Sequence, residues 1–306
     1  MARQPASITA FAEFYKVNPT GIVIWRQCVS THGRHRFNFH DPDTPKEKKV
    51  TYQGEITPHS RKRLAKALQL LIEITDERFV INPVTGRKMK FCLAFWTLTL
   101  SAPQDFMKDS DIKKLLLEPF LRIMRRKGLR NYIWKSELQK NGNLHFHLLT
   151  DFFLPYTIIR DCWNNCQAKL DFIDDFERRF GHRNPNSTDV RSVKSSKGVA
   201  SYLSKYMLKP TEKGRQQKIS GVEEEKRKGK VWDCSLNLKL KNEAYDFLPD
   251  YLYDTLEALE SQSEIRGIHE DFYKCFFVDK AQRVNLIPAE FLSDYNAFIA
   301  KVKQAV

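Results

Sequence analysis

Two runs of alternating polar and apolar residues lie close together near the middle of the chain. Residues 131–138 and 144–151 flank a short segment that contains Asn141-Gly142. Alternation with a period of two is typical of β-strands, and Asn-Gly is typical of a hairpin turn. The sequence therefore predicts a β-hairpin here, which restricts the chain to folds that contain an antiparallel sheet.

The second run contains His145-Phe146-His147, whose two imidazoles share one face because strand side chains alternate. The loop length decides what lies opposite them. A two-residue turn at Asn141-Gly142 would place Glu137 opposite Phe146, on an apolar face.

A three-residue loop formed by residues 140–142, Lys-Asn-Gly with the glycine left-handed, gives another register. It sets Glu137 opposite His145 and Lys135 opposite His147. Each face of the hairpin is then chemically consistent, so we predict this register.

Two imidazoles and a carboxylate on one face predict a metal site at Glu137, His145 and His147. Such a set leaves coordination positions open for water and a phosphate oxygen. Imidazole favours transition metals, whereas phosphate oxygens favour hard ions, so Mn or Mg is the predicted cofactor. A His-x-His pair by itself is weak evidence, since it also occurs on solvated strands.

A second candidate group lies downstream, in a predicted helix over residues 198–209. Tyr202 and Tyr206 are four residues apart and so share a helical face. Lys205 and Lys209 each follow a tyrosine at the third position. Tyrosine can attack a phosphodiester, and a nearby lysine can hold the phosphate. Two tyrosines at this spacing also line ordinary helical cores, so the metal site is what favours a catalytic role.

At these residues the sequence resembles the HUH-type rolling-circle replication initiators of single-stranded DNA phages and bacterial plasmids. The resemblance covers about residues 90–210. It rests on Thr97-Leu98-Thr99 at the end of an apolar run, on Glu137 with His145-Phe146-His147, and on Tyr202 to Lys209.

The resemblance implies a five-stranded antiparallel palm and nicking of single-stranded or melted origin DNA. It also implies a 5′-phosphotyrosine intermediate, with Tyr202 and Tyr206 as nucleophiles and Lys205 and Lys209 positioning the phosphate. A host helicase and DNA polymerase would complete replication, because the sequence contains no GxxxxGK[ST] nucleotide-binding motif.

Periodicity predicts an α+β fold with helices packed on a central sheet of about five antiparallel strands. We divide the chain into an irregular arm (1–58), the endonuclease domain (59–242) and an acidic, mainly helical part (243–306). Within the second of these, strands are expected at 91–100, 131–138, 144–151 and 189–193, and helices begin near Ser60, Ser110 and Tyr156.

The net charge of +14 is distributed unevenly along the chain. Residues 243–306 contain 12 acidic and 6 basic residues, so the excess of positive charge belongs to residues 1–242. A basic field of this kind attracts a polyanion such as DNA. Besides Lys135, the expected DNA contacts are the basic end of a helix: Arg125, Arg126 and Lys127.

Six scattered cysteines without a CxxC pair, and the lack of a long apolar run, predict a cytoplasmic protein with reduced thiols and no membrane partner. Several functions remain compatible with the sequence. The chain could bind single-stranded nucleic acid without catalysis, act as a relaxase or transposase with the same chemistry, or be a zinc hydrolase.

Overall fold

The computed structural model describes residues 9–30, 56–83, 85–104, 107–139, 141–193, 229–271 and 273–305. The α+β class is confirmed. The chain divides into two compact units, one formed by residues 1–48 with 241–304 and the other by residues 49–240 with the last two residues.

The strands of the described residues are numbered in chain order. They are β1 (Thr9–Asn18), β2 (Gly21–Ser30), β3 (Arg78–Ile81), β4 (Lys88–Phe91), β5 (Leu93–Thr99), β6 (Tyr132–Leu138), β7 (Leu144–Thr150), β8 (Thr188–Val193), β9 (Trp232–Cys234), β10 (Asp246–Phe247), β11 (Arg266–His269) and β12 (Tyr273–Phe277).

The α-helices of the same residues are numbered likewise. They are α1 (Pro58–Ile74), α2 (Asp109–Ile112), α3 (Glu118–Arg126), α4 (Tyr156–Ala168), α5 (Phe172–Phe180), α6 (Asp250–Ser261), α7 (Lys280–Leu286) and α8 (Ala289–Gln304). A π-helical turn at Lys113–Leu117 joins α2 to α3. The single helix expected from Ser110 onward therefore widens just before Pro119, which lacks the N–H that a regular turn needs.

In the 49–240 unit, the described residues form a five-stranded antiparallel sheet in the order β8-β5-β7-β6-β9. The predicted hairpin is its β6–β7 pair. Leu138 lies opposite Leu144 and Glu137 opposite His145, so the three-residue loop is confirmed. Gly142 has a φ of +86°, as a left-handed loop residue should.

A buried hydrogen-bond network fixes this loop. The side chain of Asn143 accepts a bond from the backbone N–H of Gln104 (2.9 Å) and donates to the carbonyl of Ala102 (2.9 Å). In return, the Gln104 side chain accepts from the N–H of Leu144 (3.0 Å). The segment after β5 thus satisfies polar groups at the start of β7 and supports the observed register.

One face of this sheet is apolar and packs on helices. Trp96, Phe146 and Leu148 point into a core with residues of the α2–α3 helix and with Trp163 of α4. Because His145 and His147 alternate with Phe146, they lie on the opposite face. Helix α1 contacts β6 and β9.

Helix α1 begins slightly before Ser60, at Pro58. Thr57 is its N-cap, and its hydroxyl accepts a hydrogen bond from the N–H of Ser60 (3.1 Å). The Ser60 hydroxyl instead accepts a bond from the indole N–H of Trp232 on β9 (2.7 Å). The strand expected from residue 231 to 240 ends after Cys234, and a 3₁₀ turn follows at Leu236–Lys239.

The prediction of an irregular arm at residues 1–58 is wrong for residues 9–30. These form the hairpin β1–β2, with Asn18 opposite Gly21 across Pro19 and Thr20. Proline and glycine mark the turn between two strands here, so they are not signs of irregular chain. Gly21 has a structural reason as well, since a side chain there would overlap the Phe276 backbone.

This hairpin belongs to the same unit as the C-terminal residues. Its strands occupy the middle of a second sheet, in the order β10-β1-β2-β12-β11 among the described strands. Tyr15, Ile22 and Ile24 join a core with residues of α6 and α8. The part from residue 243 is rich in helix, as predicted, but it also supplies three strands to this sheet. The helix expected from Ala244 begins at Asp250, directly after Pro249.

No described helix has both the length and the apolar character needed to cross a membrane. The cysteines at 92, 162, 166, 234 and 275 are free thiols.

Candidate functional site

The exposed face of the hairpin brings together the three predicted ligands. His145 and Glu137 are directly opposite each other on β7 and β6, and His147 is two residues along the same face. The ring centroids of the two histidines are 4.6 Å apart. An open pocket on this face is lined by Glu137, Leu138, Gln139, Asn141, His145 and His147.

Strand β5 supports both imidazoles from the other side. Thr99 lies opposite His145 with its hydroxyl 3.1 Å from Nδ1, and Thr97 lies opposite His147 with its hydroxyl 3.4 Å from Nδ1. Phe95 stacks on His147 with ring centroids 5.1 Å apart. When Nδ1 donates its proton to a threonine, Nε2 keeps a lone pair for a ligand.

Glu137 is engaged by two nitrogen groups. Its Oε1 is 2.6 Å from Nζ of Lys135, and its Oε2 is 3.4 Å from Nε2 of His147. Burial would raise the pKa of Glu137, but the hydrogen bonds with His147 and Lys135 and the charge of Lys135 outweigh it and lower the pKa to about 2. The carboxylate is therefore ionised at neutral pH.

His145 is uncharged at neutral pH. Burial lowers its pKa, the nearby His147 lowers it further, and Glu137 opposes both, with a resulting pKa of about 4. A neutral imidazole is the form that binds a metal ion.

Two observations bear on whether a metal ion fits here. The donor set of two imidazoles and an ionised carboxylate is chemically suitable for a divalent ion. However, within the described ranges no group of three or more His, Cys, Asp or Glu side chains is arranged to hold one. In this structure the carboxylate contacts Lys135 and His147, and a bound ion would have to replace at least the contact with His147.

Lys135, expected to bind DNA, is fully buried beneath this face with its ammonium group against Glu137. A side chain without exposed surface does not contact DNA in this conformation, so its observed role is to pair with the carboxylate. The alternating pattern predicts its register but not its burial, which results from β9: Trp232 lies opposite Lys135 on the other side.

The basic group Arg125, Arg126 and Lys127 is exposed at the end of α3. Helix α3 packs on the Phe146 face of the sheet, and Arg125 reaches the hydroxyl of Tyr132 at the far end of β6 (3.5 Å). The structure therefore places this group away from Glu137, by about 17 Å along β6 at roughly 3.3 Å per residue.

Tyr202, Tyr206, Lys205 and Lys209 lie outside the described residues, as does the helix expected at 198–209. Sequence reasoning missed Thr97 and Thr99 as supports of the histidines. The signal was present, because these threonines alternate with Trp96 and Leu98. It is obscured by the apolar residues around it, which together predict a strand buried on both faces.

Residues 93–211 match the family model of the replication-associated protein ORF2 family. The match begins at the first residue of β5 and includes the whole histidine hairpin. It indicates a replication-associated protein and covers 119 of the 306 residues. The comparisons with curated proteins and with solved structures gave no match.

Proposed function

We propose that this protein is a rolling-circle replication initiator that nicks and rejoins single-stranded origin DNA. The observation that supports this most is the hairpin register, which sets Glu137 beside His145 and His147. The register lies inside the segment that matches a replication-associated family.

In this proposal, Mn or Mg binds through Nε2 of His145 and His147 and the carboxylate of Glu137. Thr97 and Thr99 orient the two rings, and Lys135 keeps the carboxylate ionised. The ion supplies polarisation of the scissile phosphate. Because Lys135 carries a positive charge beside Glu137, it also weakens the affinity for the ion, and we expect binding only at appreciable metal concentrations.

The proposed nucleophile is the hydroxyl of Tyr202 or Tyr206. Its oxygen forms a bond to the phosphorus of the scissile phosphodiester, and the bond from phosphorus to the 3′-oxygen breaks. The tyrosine proton is released and the 3′-oxygen takes up a proton. The products are a 5′-phosphotyrosine link and a free 3′-hydroxyl.

This chemistry conserves the number of phosphoester bonds, so the reverse attack by a 3′-hydroxyl reseals the strand without a nucleotide cofactor. Two tyrosines allow one to begin and the other to finish a round, with Lys205 and Lys209 positioning phosphate. A host polymerase would extend the 3′-hydroxyl and a host helicase would unwind the duplex, in the cytoplasm of a bacterial host. Relaxase or transposase activity would use the same steps on different DNA.

One observation favours a second candidate, a non-catalytic protein that binds single-stranded nucleic acid. Glu137 is occupied by Lys135 and His147, as in a structural ion-pair network. The two candidates differ in whether a strand is cut.

The experiment is nicking of an end-labelled single-stranded origin DNA with Mn, with Mg and with a chelator. The source genome provides the origin candidates as overlapping oligonucleotides. We expect cleavage with either ion and none with the chelator. The double variant His145→Gln and His147→Gln should lose cleavage by at least about 100-fold. Binding without cleavage of any fragment would support the second candidate and contradict the first.

A further inference from the structure

The hairpin β3–β4 is a small two-stranded ribbon that neither the sequence analysis nor the family match includes. Its two strands pair with each other, with Phe79 opposite Lys90 and Ile81 opposite Lys88. The matched segment begins at residue 93, just after β4 ends. The ribbon thus lies directly before the strand that supports the histidines.

The two faces of this ribbon differ. One face is anchored, because Arg78 lies over the ring of Phe91 (4.9 Å) and donates a hydrogen bond to the carbonyl of Asp151 (2.6 Å). Phe91 is fully buried. Val80, on the same face, packs against the core of the sheet. This anchoring fixes the direction of the other face.

The other face presents two large apolar side chains to solvent. Phe79 is 63% exposed and Ile81 is 68% exposed. They are flanked by Lys88, whose ammonium group lies 4.6 Å from the centre of the Phe79 ring, and by Lys90. A folded chain has no stability reason to expose two such residues side by side, so an apolar contact surface is indicated.

The charge of the ribbon identifies the occupant. Residues 78–91 contain four basic residues and no acidic one. A neutral or basic protein partner would not use these cations, whereas a polyanion with flat apolar groups would use both features. Single-stranded DNA has both, because its phosphates are charged and its bases are unstacked. A duplex would have to be kinked before an apolar side chain could enter between its bases, at a cost of a few kcal/mol per step.

Lys90 pairs with Glu77, the residue just before the ribbon, at 2.5 Å. Both side chains are partly exposed, and an ion pair at such a position contributes little to stability. A phosphate can therefore replace the carboxylate, or bind beside it, at small cost.

We infer that the β3–β4 ribbon is a docking site for single-stranded DNA, on which a base stacks against Phe79 and Ile81 while Lys88 and Lys90 contact phosphates. This inference takes its ligand from the proposed function. Along β4 and β5, Lys90 precedes Thr97 by seven residues, a path of about 23 Å at roughly 3.3 Å per residue. The ribbon would hold the strand at a distance from the histidines and so add affinity without taking part in the chemistry.

The test is the affinity of the full-length protein for an unstructured single strand of thymidines, measured by fluorescence anisotropy in the presence of a chelator. The double variant Phe79→Ala and Ile81→Ala should raise Kd by about 5- to 100-fold, the range expected from losing one stacked base. Phe79→Trp should keep an affinity near that of the original protein, since tryptophan also stacks.

Two controls separate this effect from damage to the fold. Phe180→Ala removes an aromatic residue of equal exposure (62%) on α5, and it should leave Kd unchanged. Lys88→Gln with Lys90→Gln should reduce the slope of log K against log salt by about 1.4, whereas Lys301→Gln with Lys303→Gln, on α8, should not. Unchanged thermal unfolding of each variant would exclude loss of structure.

The inference is overturned if the Phe79/Ile81 variant binds the single strand as tightly as the original protein, or if only its binding to duplex DNA is weakened. Because no divalent ion is present, cleavage does not affect the readout. Failure of the proposed nicking function would leave the binding result intact, and normal nicking by the Phe79/Ile81 variant with unchanged Kd would overturn this inference alone.

Discussion

His145 and His147 are contacted on both sides of their strand, by threonine hydroxyls from β5 and by a carboxylate from β6. Each hydroxyl contacts Nδ1, the nitrogen that faces away from a ligand bound at Nε2. Contacts of this type fix both the ring orientation and the position of its proton. The threonines should therefore affect metal affinity although they are not ligands.

Thr99→Val tests this role, because it removes the hydroxyl near His145 and keeps the shape of the side chain. We expect the affinity for Mn to fall about 10- to 100-fold. Calorimetric titration of the metal-free protein measures it. The matched control is Thr188→Val on β8, whose buried hydroxyl has no hydrogen-bond partner in the described part of the chain. Equal Mn affinity of the two variants would contradict the proposed role of Thr99.

Glu137→Gln should affect both metal binding and stability. The change removes a ligand charge and leaves the buried ammonium group of Lys135 beside a neutral amide. We expect undetectable Mn binding and a free energy of unfolding lower by about 1–3 kcal/mol. Urea denaturation measures the second effect. Glu118→Gln, at an exposed helical position, should change stability by less than about 0.5 kcal/mol.

The sequence allows prediction of part of this site. The position of Glu137 beside His145 follows from local alternation and loop length, both of which are short-range properties. The burial of Lys135 could not be predicted, because it depends on β9, nearly a hundred residues further along the chain. The resemblance includes Thr97 and Thr99 in a motif, but their contacts with the rings depend on the β5–β7 register.

At the scale of elements, the hairpin depends on the loop that joins Gln139 to Asn143. Asn143 is 4% exposed and satisfies backbone groups of Ala102 and Gln104. These contacts tie the β6–β7 loop to the segment that follows β5. They stabilise the register that places Glu137 beside the histidines.

Asn143→Ala should leave these backbone groups buried without partners. We expect the free energy of unfolding to fall by about 1–3 kcal/mol, as measured by urea denaturation. Mn affinity should fall as well, because the loop loses support for one register. Asn184→Ala, at an exposed position, is the control and should have almost no effect on either quantity. A loss no larger than that of the control would contradict the importance of this network.

Elements formed by sequence neighbours are easier to predict than those that need distant partners. The β6–β7 hairpin and α4 follow from local patterns. The β1–β2 hairpin escapes prediction although its strands alternate, because its turn residues also suit irregular chain and its sheet partners β10 and β12 lie more than 200 residues away. The β3–β4 ribbon escapes prediction because apolar residues on both of its faces obscure the alternation.

At the scale of the whole molecule, the two units differ in how they are formed from the chain. All strands of the histidine sheet, together with α1, lie between residues 49 and 240. The other unit combines residues from both ends of the chain. The boundary expected near residue 242 lies close to the observed one, whereas the expected boundary near residue 58 did not anticipate that the first strands pair with the last ones.

A fragment of residues 49–240 should therefore fold independently, with cooperative thermal unfolding by circular dichroism and with retained Mn binding. Deletion of residues 1–30 from the full chain should unfold residues 241–304, because it removes the middle strands of their sheet. Backbone amide hydrogen exchange would locate the loss. A fragment that unfolds without cooperativity, or a deletion that leaves residues 241–304 protected, would contradict this division.

The central claim is that a tyrosine of this chain forms a covalent bond with DNA under the control of the histidine site. The most direct measurement is mass spectrometry of the protease-digested protein–DNA adduct formed with a single-stranded origin fragment and Mn. The account predicts a nucleotide-linked peptide that contains Tyr202 or Tyr206, and no adduct from the variant Tyr202→Phe with Tyr206→Phe. An adduct on any other residue, or an undiminished adduct in that double variant, would contradict it.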